Sequence, residues 1–342
     1  MKITTKLLKN AIKQLSNLKQ ERFIYDTSLI YCQLENNVLS LTRFNLECNL
    51  TVKIDASGEN CKFSIPETVI KFISNIKSPE IEVSFNESKA DLNGFIFDCS
   101  HSTEIKTNET NYIGEINNGI EFNECIIKTV PYMESVKGYR EAHKAICFRV
   151  KDKILSVYAT NGIILRKQEM QTDLNNCEFR LPLVGSTILS KLISQSYKFY
   201  LGKDCIKIDG VNFIFNSRLN DPYEIDYECV MPTESTTKVK FNADKLRQTI
   251  PQLKATNKFK FQMSINGMIR LNSNDDDLGL EFNSEFNHIE KTGDDLQLCF
   301  DCDLMSRVLE DDSEIQFNLT TPQRAVLIKS NNITRLLMPI CI

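Results

Sequence analysis

KILSVYATNGIILRK, residues 153–167, is an alternating, strand-like stretch, and it does not stand alone. NVLSLTRFNLECNL from Asn37 and GMIRLNSNDDDLGLEF from Gly267 repeat its character along the chain. Each is preceded by a helix-like segment: ITTKLLKNAIKQLSNLK from Ile3, EFNECIIKTVPYMESVK from Glu121 and KFNADKLRQTIPQLKAT from Lys240. Each is followed by a second helix-like segment running into another strand: FSIPETVIKFISNIKSPEIEVSF from Phe63, FRLPLVGSTILSKLISQSYKFYL from Phe179 and LCFDCDLMSRVLEDDSEIQFNL from Leu298. The first two copies then share a short string, GFIFDCS from Gly94 and NFIFNSR from Asn212. A period of roughly 115–120 residues is far longer than a solenoid unit, so it predicts three similar domains in line. Three such domains point to a curved or ring-shaped body that works by shape.

The 342 residues are enough for two or three domains, each with its own core. Apolar residues make up 42% and charged residues 25%, ordinary values for a soluble globular protein. No apolar run approaches the roughly 20 residues that span a bilayer, and MKITTKLLKN lacks the apolar centre of an export signal. Many of the 12 cysteines sit in strand patterns, where a reduced thiol acts as a small hydrophobe; the reading is cytoplasmic and reduced. The net charge of −4 gives no global pull toward nucleic acid, so DNA binding would need a local basic face. Polar connectors near Thr107–Gly119 and Pro232–Lys238 divide the chain into 1–117, 118–231 and 232–342. Within a copy, short strands with two helices predict an α+β domain, helices packed on one face of antiparallel sheets. Pro131 and Pro251 fall at matching places in the first helices of copies two and three, where each should kink or shorten the helix.

At about 100° per residue, Leu8, Ala11, Ile12, Leu15 and Leu18 form one stripe of the first helix, with Lys6, Lys9 and Lys13 opposite. Such lysines suit phosphate contacts that ignore base sequence, and they equally suit a solvated face. Lys245 repeats the pattern weakly in copy three; copy two has Lys128, then Lys137 and Arg140 just after its helix. The second helices add Lys71, Lys77, Lys191 and Arg307. Recurrence at equivalent helices is what raises the DNA-binding reading.

Chemistry for catalysis is thin. The 3 histidines, His101, His143 and His288, are isolated. No P-loop, no GxGxxG and no Ser–His–Asp pattern is present. Cys299 and Cys302 make one CxxC without the second pair that a zinc site wants, which favours a structural role. Asp275–Asp277 lie between two strand patterns and read as a solvated hairpin tip rather than a cation site. Without a convergent catalytic set, neither an enzyme nor a cofactor or metal is implied.

The chain resembles the bacterial β sliding clamp family, the processivity subunits of replicative DNA polymerases, over essentially its whole length. LSVYATNGIILRK (Leu155–Lys167), FIFNSRLNDPYEIDYECVMP (Phe213–Pro232), RLLMPICI (Arg335–Ile342) and LSLTRFNLECNL (Leu39–Leu50) carry the resemblance. It implies the DNA clamp fold: three similar domains per chain, helices lining the inside and antiparallel sheets outside, in a ring closed by a head-to-tail homodimer. Double-stranded DNA would pass through without base readout, held by Lys6, Lys9, Lys13, Lys71, Lys77, Lys128, Lys137, Arg140, Lys191 and Lys245.

The resemblance also implies a groove between the middle and third domains, where short peptides of polymerase and clamp-loader subunits dock. Thr160, Gly162, Ile163 and Leu165 would form one wall. Pro232, Leu336, Leu337, Met338, Pro339 and Ile340 would form the other, unless that tail is simply a buried last strand. Ile163 and Ile164 replace a usual His-Arg pair and Cys341 a usual basic residue, so the groove is expected to be greasier and less cationic. Phe95, Phe97 and Leu253 are the expected dimer contacts, core packing being the competing role. A clamp-derived interaction scaffold that no longer loads on DNA is the alternative reading, and metal chemistry at Cys299 and Cys302 a distant third.

Overall fold

The computed structural model describes residues 1–18, 28–86, 88–99, 108–135, 137–138, 140–220, 225–330 and 332–340. His101 and Cys341 lie outside the described residues. The first copy runs β1 (Lys2–Thr4), α1 (Thr5–Leu15), β2 (Leu29–Glu35), β3 (Val38–Phe44), β4 (Cys48–Ser57), β5 (Cys61–Pro66), α2 (Glu67–Asn75), β6 (Glu80–Asn86), β7 (Lys89–Leu92) and β8 (Phe95–Asp98). The second runs β9 (Asn111–Ile116), α3 (Gly119–Thr129), β10 (Ala145–Lys151), β11 (Ile154–Thr160), β12 (Ile164–Gln171), β13 (Cys177–Pro182), α4 (Leu183–Leu189), β14 (Tyr197–Leu201), β15 (Cys205–Asp209) and β16 (Phe213–Arg218). The third runs β17 (Thr237–Asn242), α5 (Ala243–Thr256), β18 (Lys260–Ile265), β19 (Ile269–Asp275), β20 (Leu280–Phe286), β21 (Glu290–Thr292), β22 (Leu296–Asp301), α6 (Cys302–Leu309), β23 (Glu314–Leu319), β24 (Val326–Ser330) and β25 (Ile333–Leu337). The order strand, helix, four strands, helix, three strands thus recurs, with β21 the one addition.

The chain packs into two compact units. One holds Met1–Ile127, Thr172–Asn176 and Leu181–Asp221; its sheet runs β8-β7-β6-β1-β4-β16-β15-β14-β9, with β2 joined to β3 and β5. In it, β4 of the first copy pairs β16 of the second. The other holds Lys128–Gln171, Cys177–Arg180 and Pro222–Ile342, with sheets β13-β10-β11-β12-β25-β24-β23-β17-β21 and β20-β19-β18-β22. There β12 of the second copy pairs β25 of the third in the same antiparallel way.

The helices bury the stripes that the sequence predicts. Leu8, Ala11, Ile12 and Leu15 of α1 are buried, as is Leu18 just beyond it. Asn242 caps α5, its side chain accepting from Lys245 N at 3.1 Å, and Asp301 caps α6 through Leu304 N at 2.8 Å. The two prolines act differently. The α-helical part of copy two stops at Thr129 and continues as a 3-10 turn, Val130–Tyr132, so Pro131 does shorten it. Pro251 lies inside α5, which runs on to Thr256. A proline inside a helix costs about 3 kcal/mol. Leu253, fully buried beyond it, offsets about 2 kcal/mol of that.

Beneath the β12–β25 junction lies a charged core. Arg166 and Arg335 stand opposite each other in the ladder, and both side chains are 0% exposed. Glu310, itself 8% exposed, accepts from Arg166 Nε at 2.8 Å and from the Tyr132 hydroxyl at 3.0 Å; its other oxygen is 3.9 Å from Arg335. Arg166 also donates to Thr129 Oγ1 and Gln168 Oε1, and Arg335 to Asp312 and the Val308 carbonyl. Glu310 ends α6 at φ +44°, a strained conformation for a residue with a β-carbon. Arg247 of α5 holds it there, donating to the Glu310 carbonyl at 2.7 Å. Removing one partner of a buried ion set leaves an uncompensated charge, typically at about 3–5 kcal/mol. Glu310→Ala is therefore expected to lower unfolding free energy by about that much in urea titrations; a loss under about 1 kcal/mol would mean that Asp312 alone suffices for both guanidinium groups.

Candidate functional site

The turn between β11 and β12 is built from its own side chains. Asn161 Oδ1 accepts from Ile163 N at 3.0 Å and Ile164 N at 2.9 Å. Thr160 Oγ1 donates to the Ile164 carbonyl at 2.7 Å and accepts from Gly162 N at 2.9 Å. Gly162 sits at φ +86°, open to glycine and strained for other residues. The last strand closes against the turn, Met338 N donating to the Ile163 carbonyl at 2.9 Å. Ile340 N then donates to the Cys299 carbonyl at 2.8 Å, which fixes the path of the tail.

Strand alternation sends Leu165, Leu336 and Leu327 to one face of this sheet, where they form a buried cluster with Cys147, Tyr158, Tyr227 and Ala325. Half-buried Ile225 and Met231 pack on it, so the connector between copies two and three straps this face. Tyr227 of the strap stacks on Tyr158 at 4.8 Å and 18°. Tyr158 donates to Glu228 at 2.7 Å, and Lys167 donates to the same carboxylate at 2.9 Å. Burial alone would lower the Lys167 ammonium, yet its bonds to Glu169 and Glu228 hold it above the usual lysine range. Burial pushes the Tyr227 phenol up, so it stays neutral.

Of the expected groove residues, Leu165 and Leu336 make the floor and Thr160 and Gly162 shape the turn. Ile163 (45% exposed) and Met338 (39%) stand at the surface, an unsatisfied apolar pair. Pro232 and Ile340 are half-buried and Pro339 is buried. Leu337 does not belong: alternation turns it to the opposite face, paired with Ile164, and it is 0% exposed. Tyr158, Tyr227, Leu327 and Met231 are additions that sequence pattern alone did not single out.

Two basic side chains from upstream stand beside this turn. Arg140 is not on a helix: it precedes a 3-10 turn, Glu141–His143, and its guanidinium lies against Gly162. A β-carbon on Gly162 would run into that guanidinium and come within 3.1 Å of His143 Cε1. The turn that lacks the His-Arg pair in its own sequence thus has beside it Arg140 and His143, 22 and 19 residues before Gly162.

The junction between copies one and two is the same design with different chemistry. Asn45 Oδ1 accepts from Glu47 N at 3.0 Å and Cys48 N at 2.7 Å, as Asn161 does, and Arg218 N donates to the Glu47 carbonyl at 2.8 Å, as Met338 does to Ile163. Where one junction pairs Leu165 with Leu336, the other pairs Asn49 with Asn216, hydrogen-bonded at 2.6 Å. Where one has Tyr158, the other has Thr42, bonded to Thr51 at 2.8 Å. On this face, among the described residues, the pair is apolar at one of the two junctions and polar at the other.

The remaining basic residues divide. Lys6, Lys13, Lys71 and Lys245 are exposed on helices. Lys77 lies beyond the end of α2, Lys191 beyond α4, and Lys137 in a turn, all exposed. Lys9 donates to the Ile76 carbonyl at 2.6 Å, and Lys128 pairs with Asp311 at 2.7 Å. At the expected interface, Leu253 is 0% exposed, inside the core of its own copy, and Phe97 is 8% exposed. Half-buried Phe95 stacks on Phe72 at 4.5 Å. The exposed apolar residue of β8 is Ile96, at 64%. Cys299 and Cys302 are buried, and burial pushes the Cys302 thiol up to about 11. Asp275 Oδ1 accepts from Asp277 N and Leu278 N, an Asx turn closing the β19–β20 hairpin.

Across 100% of both chains, the structure matches the DNA polymerase III subunit beta of Pseudomonas aeruginosa with a TM-score of 0.89 at 18% identity. The fold is that of the DNA clamp. A Helicobacter pylori beta clamp bound to a DNA ligase peptide matches over 100% of both chains, with a TM-score of 0.89 at 17% identity. In sequence, the beta sliding clamp of Haemophilus influenzae is 24% identical over 234 residues, covering 64% of this chain and 64% of that protein. The aligned region is thus less than two thirds of that relative, and no protein-family model matches the chain. In this clamp fold the strap over the apolar floor is the least expected element. Tyr227→Ala should detach it: the buried ring accounts for about 3–5 kcal/mol, and proteolysis between residues 225 and 232 should accelerate. Unchanged cleavage would show that Ile225 and Met231 hold the strap by themselves.

Proposed function

We propose that this chain is a divergent β sliding clamp, which encircles duplex DNA and tethers the replicative DNA polymerase for processive synthesis in the cytoplasm. Its domains are three, with the divisions near 117 and 231 read from sequence; β9 pairs β14 as β1 pairs β6, so the second domain takes in residues from Asn111. The observation that carries the proposal is a pair of strand edges left unpaired among the described residues. In copies one and two, the strand after the turn (β4, β12) pairs the last strand of the next copy (β16, β25). Copy three has the same strand, β20, at the end of its sheet, and copy one has the same last strand, β8, at the end of its own. A second copy of the chain supplies each edge with its partner. Contacts of that head-to-tail kind close into a ring when the rotation per copy completes a circle.

The register follows from the two pairings already made. Asn216 opposite Asn49 and Ile214 opposite Thr51 translate into Asp98 opposite Leu280 and Ile96 opposite Phe282. Ile96 (64% exposed) and Leu280 (45%) would then lose their exposure. Duplex DNA inside such a ring is held through its phosphates, with topology supplying retention. Lys6, Lys13, Lys71 and Lys245 are the helix cations available for that contact; Lys9 and Lys128 already have protein partners. The groove over Leu165 and Leu336, with Ile163 and Met338 at its mouth, takes short apolar peptide segments of polymerase and clamp-loader subunits. No catalytic role, cofactor or membrane enters this reading.

Light scattering on the purified chain should give twice 39.3 kDa. Ile96→Asp should raise the dimer dissociation constant by at least about tenfold, or 1.4 kcal/mol; an unaffected dimer would place the interface elsewhere. Loaded protein should stay on nicked circular DNA and run off after linearisation. Lys6→Glu with Lys13→Glu should shorten retention and reduce its salt dependence. A dimer with intact peptide binding but equal loss from circular and linear DNA would instead favour the scaffold reading.

A further inference from the structure

One hydrogen bond recurs in all three copies and puts their helices in register. Thr5 N donates to the Pro79 carbonyl at 3.0 Å, Gly119 N to the Gln195 carbonyl at 2.8 Å and Ala243 N to the Ser313 carbonyl at 2.9 Å. Counted from these bonds, the buried Leu8, Ile12 and Leu15 of α1 fall on Phe122, Ile126 and Thr129 of α3, and on Leu246, Ile250 and Leu253 of α5, all buried likewise. The outward positions diverge in charge. Lys6, Lys13 and Lys77 of copy one correspond to Ile120, Ile127 and Ile193 of copy two, and to Asp244, Pro251 and Asp311 of copy three. Lys71 corresponds to Thr187 and Ser306, each the fifth residue after the cap of its helix at Pro66, Pro182 or Asp301. Four lysines in one copy thus face no charge in the next and two aspartates in the last.

The four lysines are exposed and, among the described residues, form no ion pair. They share one layer, since α1 packs beside α2 and Lys9 is bonded to the Ile76 carbonyl. Copy two has the same layer: Asn123, in the place of Lys9, donates to the Leu192 carbonyl at 3.3 Å. Its surface is apolar, with Ile120, Ile127 and Ile193 at 61%, 46% and 73% exposure. Glu124 stands exposed between the first two, where copy one has Asn10.

We propose that phosphate contact is concentrated on copy one, where Lys6, Lys13, Lys71 and Lys77 hold the duplex, and that the isoleucine face of copy two lets it pass without holding it. This rests on the DNA-clamp reading above and assigns the grip within it. A lysine on a phosphate releases a condensed counterion, an isoleucine releases none, and a carboxylate repels the strand. Retention then comes from the ring, and contact limited to one copy per chain favours sliding.

Full-length protein is titrated against a short labelled duplex by fluorescence anisotropy between about 50 and 200 mM salt. Light scattering confirms that each variant keeps the wild-type mass. Replacing Lys6, Lys13, Lys71 and Lys77 together by Gln should lower the slope of log affinity against log salt by about two or more, at about 0.9 per lost contact. Ile120→Lys with Ile193→Lys should raise it by about one to two. In a second measurement, p-benzoylphenylalanine replaces Asn10 or its counterpart Glu124, and the bound duplex is photo-crosslinked. Position 10 should crosslink at least about fivefold more than position 124. Equal crosslinking, or a slope that survives the four Gln substitutions, overturns the inference and leaves the clamp reading in place. A slope unmoved by the two added lysines also overturns it, because the copy-two face would then lie away from the duplex. If the wild-type protein binds no DNA, the clamp reading and the inference fall together.

Discussion

Two arginines facing each other across a β-ladder, both without exposure, set the terms for the third copy's attachment to the second. Like charges opposite one another in a sheet repel, and burial magnifies the repulsion. Arg166 and Arg335 can share the junction only because Glu310 lies between them and Asp312 takes part of Arg335. Glu310 in turn is held in a left-handed conformation by Arg247 and bonded by Tyr132. The junction is therefore specified by a set of charges that has few alternative arrangements. One residue along each strand, on the opposite face, lie Leu165 and Leu336. The floor of the groove is thus positioned by the charges beneath it.

Backbone design and side-chain chemistry are separable in this chain. The two junctions use the same Asx turn, the same bond from the last strand to the turn and the same register. The residues that leave the sheet differ on both faces: Asn49, Asn216 and Thr42 against Leu165, Leu336 and Tyr158 on one, and Leu50 and Phe215 against Arg166 and Arg335 on the other. A polar ladder satisfies itself and needs no cover. An apolar floor needs a strap, and the connector from Ile225 to Met231 provides it. Repetition of a domain gives repeated strand ends, and divergence of the facing side chains decides which of them carries an apolar floor.

Charge is used sparingly. With a net charge of −4, several basic residues have local tasks: Lys9 on the Ile76 carbonyl, Lys128 on Asp311, Lys167 on Glu228. In the proposed function, holding DNA by enclosure makes few demands on affinity, and a weakly attractive inner surface is compatible with sliding. The exposed helix lysines Lys6, Lys13, Lys71 and Lys245 would make that kind of contact.

The three-copy architecture, the α+β class and the helix stripes were legible from sequence because they depend on local periodicity, which each copy displays independently. Asn161 and Gly162 were visible too, since turn geometry is set by neighbouring residues. The destinations of single side chains were not. Leu253, read as either a dimer contact or a core residue, lies in the core, because burial depends on what the opposite element brings. Pro251, expected to kink or shorten its helix, lies inside α5, which runs on to Thr256 past the buried Leu253. Arg140, read as a DNA-contacting residue just after the helix of copy two, sits on Gly162. Its place follows from a glycine 22 positions later that leaves room for it. Sequence determined the repeat and its turns, which are short-range properties. Tertiary structure alone decided which charges meet, because that is fixed by pairing between strands far apart in the chain.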